Sequence, residues 1–362
     1  MKNLIVAPAG LDLSWIALCT VLVFLMQAGF CLIESGMVRT KNSIKVAVKN
    51  LLGTIISMLA FTTFGFSLMF GADVVGLIGI PDSVNFYSDP HMVSFFLSQI
   101  VFCSTATTII SGAIAERTRL GTFLVIAVCV SGIVYPIAGH WIWGGTLIGT
   151  NSGWLRSLGF VDFAGGTAVH VVGGFASLAA VIAVGPRRFI PDSSRTGGHS
   201  LTLAVLGCFL LWFGWWGFNG GACLAATAQL PIVLLNTQLG AAAGGSCATL
   251  ICLLHKKRIE VVPLICGIIA GLVSVTAACH SLTPHGAMIV AIIGAALAYS
   301  ADVWMKARGI DDVVSAFPVH GVAGIWGTVA FSLFGGKEFL NGTSRLQSFT
   351  VQAAGSILVA AA

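Results

Sequence analysis

The feature that limits this chain most is a repeated one. Stretches of about 20 apolar residues, long enough to cross a bilayer, alternate with short polar links. By that measure eleven candidate spans lie near 10–33, 46–71, 92–115, 120–143, 163–185, 200–222, 231–254, 260–279, 284–305, 317–335 and 347–362. Charged residues make up 9% of the 362 and hydrophobic residues 57%, against about 25% charged in soluble proteins. Mean hydropathy is +0.96. So few charges cannot solvate a soluble surface, and the expected fold class is all-α integral membrane. The first apolar stretch runs into Gln27, Glu34, Arg39 and Lys41 with no basic n-region ahead of it, which reads as a membrane helix rather than a leader.

Eighteen Lys and Arg against thirteen Asp and Glu leave a formal charge of +5. The cations are scattered between apolar runs instead of forming one stripe beside stacking aromatics, which excludes a nucleic-acid reading. Their placement sets orientation, because short cytoplasmic loops carry the excess of Lys and Arg. With the N-terminus outside, only Lys2, Arg156, Lys337 and Arg345 fall outside, and the other fourteen fall in the cytoplasm. That inner set includes Arg188, Arg195 and, in the first inner loop, Lys41, Lys45 and Lys49. The expectation is a multi-pass cell-membrane protein, N-out and C-in. All ten cysteines sit in or at the ends of apolar stretches without a CxxC pair, so they read as small hydrophobes.

The segments Val169-His170-Val171-Val172-Gly173-Gly174 and Val319-His320-Gly321-Val322-Ala323-Gly324 both read V-H-x-V-x-G. Each lies in the fifth span of its half, about 10–185 and 200–335. Five is odd, so the halves would run in opposite directions, and inverted repeats place a substrate site at their interface near the midplane. The eleventh span, 347–362, follows the two halves within a single membrane domain, 1–362. It is still apolar at Ala362 with no basic flank. A cytoplasmic tail or a further domain is expected beyond it.

An ionisable residue at membrane depth costs roughly 3 kcal/mol and marks a functional site by default. His170 and His320 are the best cases. Each could be a neutral histidine bonded across a helix interface. Two at matching repeat positions favour instead a facing pair that shares one proton, lining a pore for a small solute that both donates and accepts. Asp162, eight residues before His170, reads first as a helix N-cap, and at an outer helix end it also lends negative potential to a vestibule. Phe102, Trp143 and Phe218 fall near the outer ends of spans three, four and six. Aromatic faces can hold a dehydrated cation, although with 23 Phe and 9 Trp any one of them could equally face lipid. No carboxylate or Cys shares the depth of the histidines to complete a zinc site, and GxSxG, Walker and HExxH motifs are absent from the sequence. Neither an enzyme nor a cofactor is indicated.

Four strings in order then carry a resemblance: Gly112-Ala113-Ile114-Ala115-Glu116-Arg117, Asp162 through His170, Leu211-Trp212-Phe213-Gly214-Trp215-Trp216-Gly217-Phe218-Asn219, and Val319 through Gly324. Over essentially its whole length the chain resembles the ammonium transporter family (Amt/Mep), which is related to Rhesus proteins. The resemblance implies a homotrimer with one pore per protomer, and as partners ammonium or ammonia, membrane lipid, and a cytoplasmic PII-type regulator or a fused signalling domain. It makes His170 and His320 the twin pore histidines and Phe102 and Phe218 the stacked gate. Trp143, Phe102, Asp162 and Ala222 become the outer recruitment site. Two departures stand out. The family usually has Ser where this chain has Ala222, so a hydroxyl that helps bind incoming ammonium is missing. It usually has Asp-Val-Phe where this chain has Ser315-Ala316-Phe317, although Asp311 and Asp312 keep the preceding acidic pair.

The function so implied is ammonium recruitment at an outer aromatic site and passage of ammonia, with or without its proton, through a twin-histidine pore. The second reading is an ammonium sensor that binds in the same pore and signals to a C-terminal cytoplasmic domain. Of the two, transport is favoured.

Overall fold

The computed structural model describes residues 9–80, 89–146, 153–187, 198–340 and 342–362. In hydrocarbon each backbone donor and acceptor must be met inside the protein, and the chain meets this with helices. They are α1 (Ala9–Met37), α2 (Thr40–Ala60), α3 (Phe66–Phe70), α4 (Pro90–Ala113), α5 (Leu120–Cys129), α6 (Tyr135–Trp143) and the short α7 (Trp154–Ser157). The chain continues with α8 (Val172–Val184), α9 (Leu201–Gly221), α10 (Leu230–Lys256), α11 (Val261–Thr276), α12 (Pro284–Ala307), α13 (Ala323–Phe334) and α14 (Arg345–Ala361). Four crossings contain a π-helical turn: Phe61–Gly65 joins α2 to α3, Val130–Val134 joins α5 to α6, Gly166–Val171 leads into α8, and Phe317–Val322 leads into α13. The strands among the described residues are one two-residue antiparallel pair, Asp73–Val74 with Ile78–Gly79.

Nine of these crossings are long and apolar enough to span a membrane. The 16-residue α11 and the 17-residue α14 complete the eleven read from the sequence. The starts obey local chemistry. Asp89 accepts from the Met92 N–H with Pro90 in the first turn of α4, and Ser344 with Gln347 forms a reciprocal capping box on α14. Leu18, Val21 and Phe24 leave α1 exposed, as a lipid-facing row should be. The opening helices of the two halves, α1 and α9, pack along each other, and the fifth crossings meet at the centre. The last helix is held by Gln352, fully buried, whose amide donates to the Val161 carbonyl and accepts from the Val161 N–H.

The turns after α1, α4, α8 and α12 converge at the end that the basic residues assign to the cytoplasm. Arg39 Nε and Arg187 Nη1 each lie 2.8 Å from a Glu116 carboxylate oxygen, and Arg187 Nε and Arg117 Nη1 reach Asp311 Oδ2 at 2.8 and 3.2 Å. Lys2, Arg188 and Arg195 lie outside the described residues. One inner assignment needs correction. Thr40 begins α2, six residues earlier than hydropathy alone placed it, so Lys41, Lys45 and Lys49 are helical. Lys49 is not in an aqueous loop: it is 5% exposed, its ammonium donates to the Ser111 carbonyl at 2.7 Å, and it sits over the Phe123 ring.

Burial alone would raise the Glu116 carboxyl, but the hydrogen bonds from Arg39, Asn42 and Arg187 outweigh it and hold the group at about 2, against an ordinary 4.5. A carboxyl depressed by folding stabilises fully above its unfolded value and loses that contribution as pH falls toward its folded one. Glu116→Gln is therefore expected to destabilise the protein by about 1–3 kcal/mol at pH 7. Thermal melts of the purified protein check this, and the gap between wild type and variant should close as pH is lowered from 4.5 toward 2.

Candidate functional site

The two V-H-x-V-x-G segments are equivalent in detail. His170 and His320 both sit on π-helical turns, each eight residues after an aspartate, Asp162 and Asp312. The Asp162 carboxylate accepts from the backbone N–H groups of Gly165, Gly166, Thr167 and Ala168 at 2.7–3.0 Å. The Asp312 carboxylate accepts from the Phe317 N–H at 2.8 Å, the position that corresponds to Thr167. Each segment is preceded by a left-handed residue, Gly165 at φ 101° and Ser315 at φ 57°, again at matching positions. Gly165 suits this role because a side chain there would also strike Val169.

The segments cross at backbone contact. A Cβ on Gly174 would lie 2.2 Å from the Gly321 nitrogen, and the equivalent Gly324 abuts Val171. This closeness sets the two imidazoles edge to edge and within 18° of one plane, with ring centroids 5.1 Å apart and Nδ1 to Nδ1 at 3.1 Å. One nitrogen must donate and the other accept, so the pair shares a single proton. His170 also stacks on Trp215, which Thr276 fixes by accepting from the indole N–H at 2.9 Å. The Nε2 of His170 is buried and has no hydrogen-bond partner among the described residues.

On one side of this pair lie Phe218, 5.4 Å from the His170 ring, and Phe102, stacked on Phe218 at 4.2 Å and 13°. Beyond Phe102 opens a cavity of about 290 Å³. Trp143, Asp162 and Ala222 line it together with Gln99 and Arg156. On the other side of the pair, Phe30 lies 6.3 Å from the His320 ring, above a cavity of about 30 Å³. The line runs from outer cavity to paired phenylalanines, paired histidines and inner cavity.

The family model described as Ammonium Transporter Family matches residues 14–362. The chain belongs to the ammonium transporter family. A relative from Synechocystis sp. is 45% identical over 357 residues, which cover 96% of this chain and 66% of that protein. The ammonium transporter Amt2 of Archaeoglobus fulgidus is 40% identical, over 89% of this chain and 71% of its own length. Among solved structures, one titled Sensor Amt Protein superposes with a TM-score of 0.93 at 42% identity, covering 97% of this chain and 89% of that one. Candida albicans Mep2 gives 0.85 at 30% identity, covering 97% and 81%.

Within this ammonium transporter fold every residue singled out from the sequence falls on the one line. Trp143 and Asp162, 19 positions apart, are joined directly, the indole N–H donating to the Asp162 carbonyl at 2.8 Å. Asp162 itself is a capping group, with both carboxylate oxygens engaged by backbone N–H. It is no free ligand for a cation. Ala222 lines the outer cavity without a hydroxyl, yet the same cavity holds Gln99, 8% exposed, whose Oε1 has no partner among the described residues. Sequence reading missed Gln99. Its signal was the one amide, a helical turn before Phe102, in a span at 92–115 without charged residues. Arg156 also lines this cavity, donating to the Thr146 hydroxyl.

Because Gly174 meets backbone and not a flexible side chain, an added methyl has nowhere to go. Gly174→Ala should cost about 1–3 kcal/mol through overpacking, read as a lower melting temperature, whereas Gly10→Ala, with nothing within 4 Å of its added Cβ, should melt like wild type.

Proposed function

We propose that this protein binds ammonium in the outer cavity and passes it, as ammonia with or without the proton, between Phe102 and Phe218 and along His170 and His320. The observation that carries the reading is the buried, unpartnered His170 Nε2, which sits behind a closed aromatic stack and beside a second imidazole. A desolvated ring nitrogen without a partner is costly, and a small guest that can both donate and accept removes that cost. Ammonia does so, and ammonium, a donor only, does so towards a ring nitrogen that carries no proton. Potassium, the hardest rival by size, cannot donate to an imidazole.

Recruitment falls to the Trp143 and Phe102 faces and to the Gln99 carbonyl, which takes the place of the hydroxyl absent at Ala222. The phenylalanine pair blocks hydrated sodium and potassium. The naming of the Archaeoglobus relative as an ammonium transporter supports this substrate, and trimeric assembly is proposed on the family likeness. The second reading, an ammonium sensor, is favoured by one observation, the 0.93 superposition on the structure titled Sensor Amt Protein. Both readings use the same pore and part at flux.

Purified full-length protein in liposomes decides between them. A transporter gives an ammonium-dependent current or uptake that potassium does not give, and a sensor binds ammonium without flux. His170→Leu, which fills similar volume, should abolish or alter passage while leaving assembly intact; unchanged uptake and selectivity would remove the pore assignment. Trp143→Leu deletes a cation–π contact of about 1–2 kcal/mol, so apparent ammonium affinity should drop about tenfold, while Ala222→Ser should raise it. Affinity unchanged in both variants would mean that ammonium enters elsewhere.

A further inference from the structure

The pore described above requires neither Glu34 nor Lys49. Glu34 lies one turn before the end of α1 and is 2% exposed. It lines the inner cavity together with His320 and Phe30. Its Oε2 accepts from the Asn50 amide at 2.9 Å and from the Ser111 hydroxyl at 2.8 Å. Its Oε1 is buried without any hydrogen-bond partner among the described residues. Both donors fall on Oε2, so Oε1 is the open position of the carboxyl group.

Lys49 is the obvious internal counter-ion, but among the described residues no Lys or Arg nitrogen lies within the 4.0 Å of Glu34 that an ion pair would need. The Lys49 ammonium is committed instead to the Ser111 carbonyl and the Phe123 ring. Ser111 thus bridges the two charges, its hydroxyl on Glu34 and its carbonyl on Lys49. The free oxygen is left for something else. The inner cavity measures about 30 Å³, and a water-sized guest needs roughly 10–15 Å³ of such space.

From this geometry we infer a second ammonium site on the cytoplasmic side of His320, in which Glu34 Oε1 accepts an N–H hydrogen bond from the ion and supplies its counter-charge. The inference rests on ammonium reaching this pore. The outer cavity offers aromatic faces and an amide carbonyl, both uncharged, whereas the inner one offers a carboxylate. A species that crosses the histidines as neutral ammonia therefore meets, on leaving them, the group that best stabilises it as the cation. A guest is selected by its ability to donate into Oε1 in a cavity of fixed size, which sodium and potassium cannot do.

The test uses full-length wild type and Glu34→Gln in lipid, with ammonium chloride as the probe and sodium chloride as the control. Infrared difference spectra read the carboxyl bands, and liposome uptake is measured on the same samples. Ammonium should change a carboxyl band in wild type that is missing in the variant, and Glu34→Gln should lower uptake at least about tenfold, since hydrogen bonds to charged groups are the strong ones. If the variant does not fold, carboxyl-labelled glutamate in wild type should shift the responding band. Wild-type uptake with no glutamate band, or uptake within twofold of wild type in the variant, overturns the inner site and leaves the pore reading standing. A glutamate band without uptake supports the inner site and removes transport, and neither signal removes both.

Discussion

The central constraint is what happens to backbone N–H groups where a helix is broken inside a membrane. The segments that carry His170 and His320 start with a left-handed residue and continue as π-helix, which leaves donors that no carbonyl can reach. In water they would be solvated. Here Asp162 absorbs four of them and Asp312 takes the corresponding Phe317 N–H. Each of these bonds meets a backbone donor that would otherwise be buried without a partner. Everything nearer the pore depends on these two caps, because they fix where each segment begins, and the Gly174 contact with Gly321 then fixes where the segments cross. The 3.1 Å histidine pair follows from both.

The same architecture makes the two mouths chemically unequal. The outer cavity is the larger, about 290 Å³ against about 30 Å³, and its acidic residue is already saturated. On the proposed reading, attraction of a cation from outside then comes from ring faces and the Gln99 carbonyl, which are weak contacts. The inner cavity is small and holds a half-satisfied carboxylate. An ion held by many weak contacts on one side and by one strong acceptor on the other is readily released at the first and selectively read at the second, which serves a transporter and a sensor alike.

Much of this was legible in the sequence, for reasons that can be stated. The eleven crossings follow from hydropathy because no other element satisfies its backbone in lipid. The inverted arrangement follows from two V-H-x-V-x-G strings that lie an odd number of spans apart, and the structure extends that match to the aspartates eight residues earlier and to the left-handed residues between. The π-helical turns were not legible, since α- and π-helix share the same apolar composition. Glu34 was not singled out and Lys49 was counted with the cytoplasmic charges for a specific reason: both lie near helix ends, where charges ordinarily flank a span, and only the early start of α2 and the packing of α4 enclose them. Gln99 was lost among apolar neighbours because no residue at its depth flagged it. Trp143 and Asp162 are far apart in sequence, and what joins them is a side-chain to backbone bond that no spacing rule encodes.

Ser315 shows how a departure from the family pattern can be locally consistent. It is a non-glycine residue at φ 57°, a conformation that costs free energy unless neighbours fix it. Its hydroxyl donates to Asp302 Oδ1 at 2.7 Å, while the other Asp302 oxygen is held by Lys306 at 2.6 Å. The usual aspartate at this position would bring a second negative charge against Asp302 and a third beside the buried Asp312. Serine supplies a donor in place of that repulsion and leaves the Asp302–Lys306 pair balanced. The start of the His320 segment is thereby tied to α12 through a hydroxyl-to-carboxylate hydrogen bond, five residues from the imidazole. A displacement of α12 at the cytoplasmic end must either break that bond or carry the left-handed turn with it, and the turn is the rigid origin from which His320 is positioned.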